Sequence, residues 1–265
     1  MNRRIGTYFL WLVTALGFIY LFVPIVLIAL FSFNNVGEQG NNIAWKGFTL
    51  DNWKLAFKSS EFTSAMRTSL IVALIACTLA TVMGALVALA MTRYRMRGGA
   101  FLNMMLVVPL TTPEIVMGAS LFTLFFNQGV DRGFWPIVIA HTMFCLSFVA
   151  LTVKARIRGF DWTLEDAAAD LGSPPLRTFR KITLPLITPG IAAAFLLSVA
   201  LSIDDYIITS FVAGPEKTFP RVVFDTAKRR VPPQVHVIAT MILLVVIVII
   251  GVGTLIANRR RARLG

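Results

Sequence analysis

Charge is scarce in this chain, and cysteine is scarcer. Only 14% of its 265 residues are charged, 57% are hydrophobic and the mean hydropathy is +0.76, whereas an ordinary soluble domain carries about 25% charged residues. That shortage excludes a soluble globular chain. The two cysteines, Cys77 and Cys145, lie inside apolar runs without metal-ligand spacing or a disulfide framework, and read as packing residues. No G-x-x-x-x-G-K-[ST] loop is present to cradle nucleotide phosphates. HExxH, GxSxG and metal-spaced cysteine clusters are missing too, so no catalytic role is expected within the chain. There is no tandem repeat, low-complexity tract or second soluble domain. No small-residue cleavage site follows the first apolar run, Tyr8 to Phe33, which is also too long for a signal-peptide core and reads as a retained span.

Long apolar runs are what the chain does have. Each of six stretches, 8–31, 69–91, 101–126, 134–153, 187–213 and 236–257, has about the 20 apolar residues a helix needs to cross a bilayer. Helices satisfy their own backbone groups in lipid. The expected fold class is therefore all-α, a polytopic membrane protein with six transmembrane helices forming one domain over residues 1–265. The formal net charge of +12 does not form a nucleic-acid patch, because its basic residues sit at span ends and in loops. With both termini inside, the inner segments hold 15 of the 25 basic residues. These are Arg3, Arg4, Arg93, Arg95, Arg97, Lys154, Arg156, Arg158, Arg177, Arg180, Lys181 and four arginines from 259 to 263. The bias is cleanest in loop 92–100 and the two tails, which places both termini in the cytoplasm.

Three connections are long. Outer segment 34–68 contains Trp45 and Trp53, either interfacial anchors or the lining of an outer mouth. Outer segment 214–235 contains Pro215, Pro220, Pro232 and Pro233 and reads as an irregular loop or short re-entrant piece. It also carries Lys228, Arg229 and Arg230, either a solvated patch or a docking contact for an acidic outer partner. Inner segment 154–186 contains LEDAAADLGSPPLRTFRKITLP at 164–185, which has the pattern of a short amphipathic helix, a tight turn and a basic approach to the bilayer.

Within that segment, Asp166-Ala167-Ala168, three residues, Gly172, nine residues and Ile182-Thr183-Leu184-Pro185 resemble the EAA loop of ABC-importer permeases. The physical logic is that small alanines let a helix lie close to a partner, glycine ends it and proline starts the next membrane element. The family's glutamate falls on Asp166, with Glu165 one residue early, and either acid can meet a basic patch on an ATPase. The likeness runs along nearly the whole chain and is greatest to the spermidine/putrescine permeases. It includes SFN at 32–34, TRYRMRG at 92–98, PEIVMG at 113–118, HTMFCLSFV at 141–149 and LSIDDYIITSFVAGP at 201–215. This resemblance implies a type I (MetI-like) importer permease fold in a bacterial inner membrane. It also implies a second homologous permease as heterodimer partner, two cytosolic ATPases that bind ATP and Mg, and an extracytoplasmic substrate-binding protein. No cofactor is expected in this chain. Glu165, Asp166, Ala167, Ala168 and Gly172 become the expected ATPase-coupling residues.

Three acids, Glu114, Asp204 and Asp205, fall within the spans. An ionised group at the bilayer centre costs about 2.5–3.5 kcal/mol on insertion scales, so each is expected to face a cavity or a partner. Glu114 is 13 residues past Phe101 and Asp204 is 14 past Gly190, depths of about 20 and about 21 Å along continuous helices. Pro109 and Pro113 mark span three as a broken helix. Three acids without a matching lysine or arginine in the spans suit a permeant cation such as a polyamine, with Tyr206, Trp53 and Phe211 as candidate aromatic contacts. Alternatively, Asp204 and Asp205 bond to backbone or a partner subunit and shape a gate. His141 is expected to be a hydrogen-bonded packing residue. Competing functional readings are an ABC permease for a metal ion or thiamine, and a stand-alone ion-coupled carrier using the same acids.

Overall fold

The structure is a computed structural model that describes residues 2–37, 40–56, 60–94 and 97–262. Arg95, Met96 and Arg263 of the basic stretches above lie outside the described residues. In chain order the helices are α1 (Asn2–Phe31), α2 (Asp51–Leu55), α3 (Ser60–Arg93), α4 (Gly99–Thr111), α5 (Glu114–Asn127) and α6 (Phe134–Ile157). They continue with α7 (Thr163–Asp170), α8 (Pro175–Thr178), a π-helical turn at Phe179–Thr183, α9 (Leu184–Asp204), α10 (Ile207–Val212), α11 (Phe219–Ala227) and α12 (Pro233–Ala262). Among the described residues, five helical stretches are long and apolar enough to cross a membrane: 6–31, 60–93, 134–157, 175–204 and 233–253.

The remaining expected span, 101–126, is α4 followed by α5, and the chain turns by 106° between them. Proline sets the break. Pro113 has no N–H for a carbonyl one turn back, and its ring drives Thr112 out of the helical region, to φ −76° and ψ 129°. Pro109 stays inside α4. The rise from Phe101 therefore stops at Thr111, and the depth of about 20 Å expected for Glu114 does not hold.

The fifth span also differs from 187–213. Its helical stretch begins at Pro175 and ends at Asp204. Pro175 occupies the first helical position, where a missing N–H costs nothing. Pro174 and Pro175, rather than Pro185, thus open the membrane element. Pro185 lies just after the π turn, and its missing N–H removes the donor that would have kept Lys181 in a regular α turn.

The chain divides into two compact units, residues 1–63 with 223–265, and residues 64–222. In the first, α1 runs against α12, which also meets α2, while the apolar side chains of α1 from Tyr8 to Val26 remain exposed. The loop after α1 is held by three buried asparagines. Asn34 Nδ2 donates to Asn42 Oδ1 and to the Ala44 carbonyl, both at 2.7 Å, and Asn52 Nδ2 donates to the Asn34 carbonyl at 2.8 Å. These amides satisfy a loop backbone that has little regular structure of its own.

The second unit is centred on α6, which packs on α4, α9 and α10. Small residues let the helices approach. Ala76, Cys77 and Ala80 of α3 share a core with Ile137, Phe144 and Cys145 of α6, Met117 and Leu121 of α5, and Ile208 and Val212 of α10. A second cluster joins Ala85 and Ala88 of α3 to Val149, Val153 and Ile157 of α6 and to Ile187 and Ala194 of α9. Gly84 marks a close approach of α3 to α6, since a Cβ there would lie 2.8 Å from Val149 Cγ1.

Candidate functional site: the α7 segment and the α9–α10 break

The α7 segment is built by local chemistry. Asp161 Oδ1 accepts from the Thr163 amide at 3.0 Å and the Thr163 hydroxyl at 2.7 Å. These bonds hold its carboxyl below the ordinary carboxylate range. At the other end, Gly172 has φ +76°. Its amide donates to the Ala169 carbonyl at 2.8 Å, and that of Ser173 to Ala168 at 2.9 Å. This paired 5→2 and 6→1 closure stops the helix with a left-handed residue.

The two neighbouring acids of α7 separate completely. Glu165 is buried, ion-paired with Arg93 at the end of α3, and accepts a hydrogen bond from Thr183 in the π turn. The Arg93 guanidinium also stands 5.3 Å from the centre of the Trp162 ring. Glu165 was expected among the coupling contacts; the structure turns it inward instead, one helical step from the exposed face. Asp166 and Ala167 are exposed, Ala168 is half-buried and Leu171 is 89% exposed. A cleft of about 440 Å³ runs beside Arg93, Tyr94, Trp162, Asp166 and Thr178. The segment is thus braced to α3 and the root of α9 on one side, and bare on the other.

The α9–α10 break separates the next pair of acids. Helix α9 stops at Asp204, Asp205 is extended at φ −65° and ψ 118°, and α10 begins at Ile207. Asp205 is buried, and its Oδ2 accepts from the Thr209 amide at 2.8 Å and hydroxyl at 2.7 Å, while Oδ1 takes the Ile208 amide at 3.3 Å. It caps the free amides at the start of α10. His141 of α6, 1% exposed, places Nε2 2.9 Å from Thr209 Oγ1 and 3.3 Å from Asp205 Oδ2, and Nδ1 2.7 Å from Ser202 Oγ. Asp204 is exposed, and its carboxylate has no bonded partner among the described residues.

The other candidates are more scattered. Glu114 is exposed at the first residue of α5. Phe211 of α10 lies over Gly118 of α5, where a Cβ would be 2.6 Å from its ring. Tyr206 is half-buried in the break. Trp53 belongs to the other unit, stacked 5.3 Å from Phe33, with its buried Nε1 lacking a partner among the described residues. Lys228 is exposed, 3.5 Å from Asp225 Oδ1 and 4.5 Å from the centre of the Phe224 ring, and Arg229 beside it is exposed, Arg230 half-buried. No trio of potential metal ligands occurs among the described residues. Sequence reading missed Arg93, Thr183, Ser202 and Thr209, because each acts across a helix boundary that spacing does not reveal.

A family model for the binding-protein-dependent transport system inner membrane component matches residues 80–263. The chain belongs to that family. The match spans α6, α7 and both sides of the α9–α10 break, so these features are parts of a multi-pass transport component of the inner membrane. Two curated relatives sharpen the likeness. The chain is 39% identical to the spermidine/putrescine transport system permease protein PotC of Escherichia coli (strain K12), over 90% of each chain. It is 36% identical to the putrescine transport system permease protein PotI of the same strain, over 86% of this chain and 83% of that one. Among solved structures, a bacterial ABC transporter involved in import of the acidic polysaccharide alginate superposes with TM-score 0.67 at 14% identity, covering 96% of both chains. That likeness establishes the shared fold of this inner membrane component, a permease of the type I (MetI-like) class.

Proposed function

We propose that the chain is a permease subunit of an ATP-driven importer of polyamines, spermidine or putrescine. The observation that carries the coupling role is α7: braced inward through Glu165 and Arg93, it presents Asp166, Ala167 and Leu171 outward. A separate cytosolic ATPase that binds ATP and Mg seats on this face, and closure of an ATPase pair moves α7 and with it α3 and the root of α9. Both termini are cytoplasmic, as the basic residues of the tails and short loops favour. A second, homologous permease completes the membrane part, and an extracytoplasmic binding protein delivers cargo from the other side.

The cargo reading is supported by the names of the relatives and by the exposed carboxylates of Asp204 and Glu114. Asp205 bonds within the chain, as the gate reading expects, so of the adjacent pair Asp204 is the one presented to a cation. The test is reconstitution in liposomes with an ATPase, a second permease and a binding protein of the same transport system. Uptake of labelled putrescine or spermidine should require ATP and every component. Uptake by this chain alone would establish a stand-alone carrier and refute the proposal.

A further inference from the structure

The break between α9 and α10 is held from both flanks by a residue on neither helix. With its proton on Nε2, His141 donates to Thr209 Oγ1 at 2.9 Å, and its Nδ1 accepts from the Ser202 hydroxyl at 2.7 Å. Thr209 then donates its own hydroxyl proton to Asp205 Oδ2 at 2.7 Å. This order, Ser202 to His141 to Thr209 to Asp205, gives every hydroxyl and ring nitrogen one bond of the correct sense. Ser202 lies in the last turn of α9 and Thr209 in α10, while His141 is anchored in the middle of α6 against Phe144. The imidazole therefore measures the separation of the two helix ends across Asp205 and Tyr206.

We infer that His141 is a positioning residue for transport: it locks the α9–α10 break so that the Asp204 carboxylate stays on the exposed side while Asp205 stays capped inside. Asp204 ends α9 and Asp205 is extended, so one carboxylate lies on the exposed side and its neighbour inside, and a rotation of the break would move both. Fully satisfied buried networks resist such a rotation, because each broken bond leaves a buried polar group unpaired. Asn34, Asn42 and Asn52 form a comparable buried polar network in the other unit, but it closes a loop and does not bridge a break between two helices.

This inference rests on Asp204 lining the cargo path, and the experiment separates the two. Asp204→Cys is introduced into the assembled transporter, where the native Cys77 and Cys145 are buried and do not compete for a membrane-impermeant maleimide. If the introduced thiol is unreactive with His141 intact, the path reading of Asp204 fails. If it reacts, His141→Phe should slow its labelling, because loss of the buried hydrogen bond shifts the balance between the exposed and withdrawn positions of residue 204 by up to about tenfold. The same substitution, with Asp204 restored, should abolish uptake while the complex still assembles. His141→Gln, which keeps a donor for Thr209, should recover part of both. Unchanged labelling in His141→Phe overturns the inference, whether or not uptake falls. Should that variant fail to assemble, Thr209→Val removes the same arm from α10 and is read by the same two outcomes.

Discussion

Replacing Gly172 with alanine isolates one backbone angle as the link between α7 and the membrane helix that follows. Gly172 has φ +76°, and a Cβ built there meets nothing within 4 Å. The substitution therefore adds no clash, only the left-handed penalty of an L-residue, about 1–2 kcal/mol. That should open the two closing bonds of α7, Gly172 to Ala169 and Ser173 to Ala168, by about 5- to 30-fold in population. The assay is hydrogen exchange at the Gly172 and Ser173 amides in the purified protein, beside ATP hydrolysed per cargo molecule imported in the reconstituted complex. Protection at these amides should fall by that factor and coupling should loosen, while membrane insertion is unaffected. Gly172→Asn should lose less, since asparagine tolerates the left-handed region. Gly159→Ala is the control, having an ordinary backbone angle and open space around it. Wild-type protection and coupling in Gly172→Ala would refute the role assigned to this turn.

Other outcomes are equally open to measurement. Gly84→Ala places a methyl 2.8 Å from Val149 Cγ1 and should lower stability by about 1–3 kcal/mol in reversible detergent unfolding; an unchanged midpoint would disprove the close approach of α3 and α6. The Asp161 cap is fully present above the ordinary carboxylate pKa and is lost as pH falls through its lowered value. The difference in Thr163 amide protection between wild type and Asp161→Ala should thus hold from neutral pH down to the ordinary carboxylate range and vanish in stronger acid. Asp204→Asn should weaken polyamine uptake without affecting assembly, and identical uptake kinetics would remove its charge from the mechanism. Neutralising Lys228, Arg229 and Arg230 should reduce stimulation by the binding protein; full stimulation would make them a solvated patch.

Much of the fold was legible in the one-dimensional record because it follows from local rules. Apolar runs of bilayer length marked five of the spans, and Pro109 and Pro113 marked span three as broken, although the break falls at Pro113 alone. In the α7 segment the stop was legible, since Gly172 ends the helix, whereas the inward turn of Glu165 was not. The boundaries of span five were not legible, since apolarity continues from α9 into α10 across Asp204 and Asp205, and composition alone does not show that the helix stops. The opening proline was misplaced for a similar reason, because Pro175 and Pro185 both satisfy the rules for a helix start.

What the sequence by itself determined is the solvent, most of the secondary structure and the family: residue polarity, proline and glycine act on their immediate neighbours, wherever the chain goes. Only the tertiary structure decided which acid of each adjacent pair is free. Glu165 and Asp166 differ by one helical step of about 100°, and only the arrival of Arg93 and Thr183 from distant parts of the chain makes the first a brace. Asp204 and Asp205 are chemically identical neighbours until His141 and Thr209 engage one of them. Burial and pairing depend on what lies across the space, and that is a property of the packed helices.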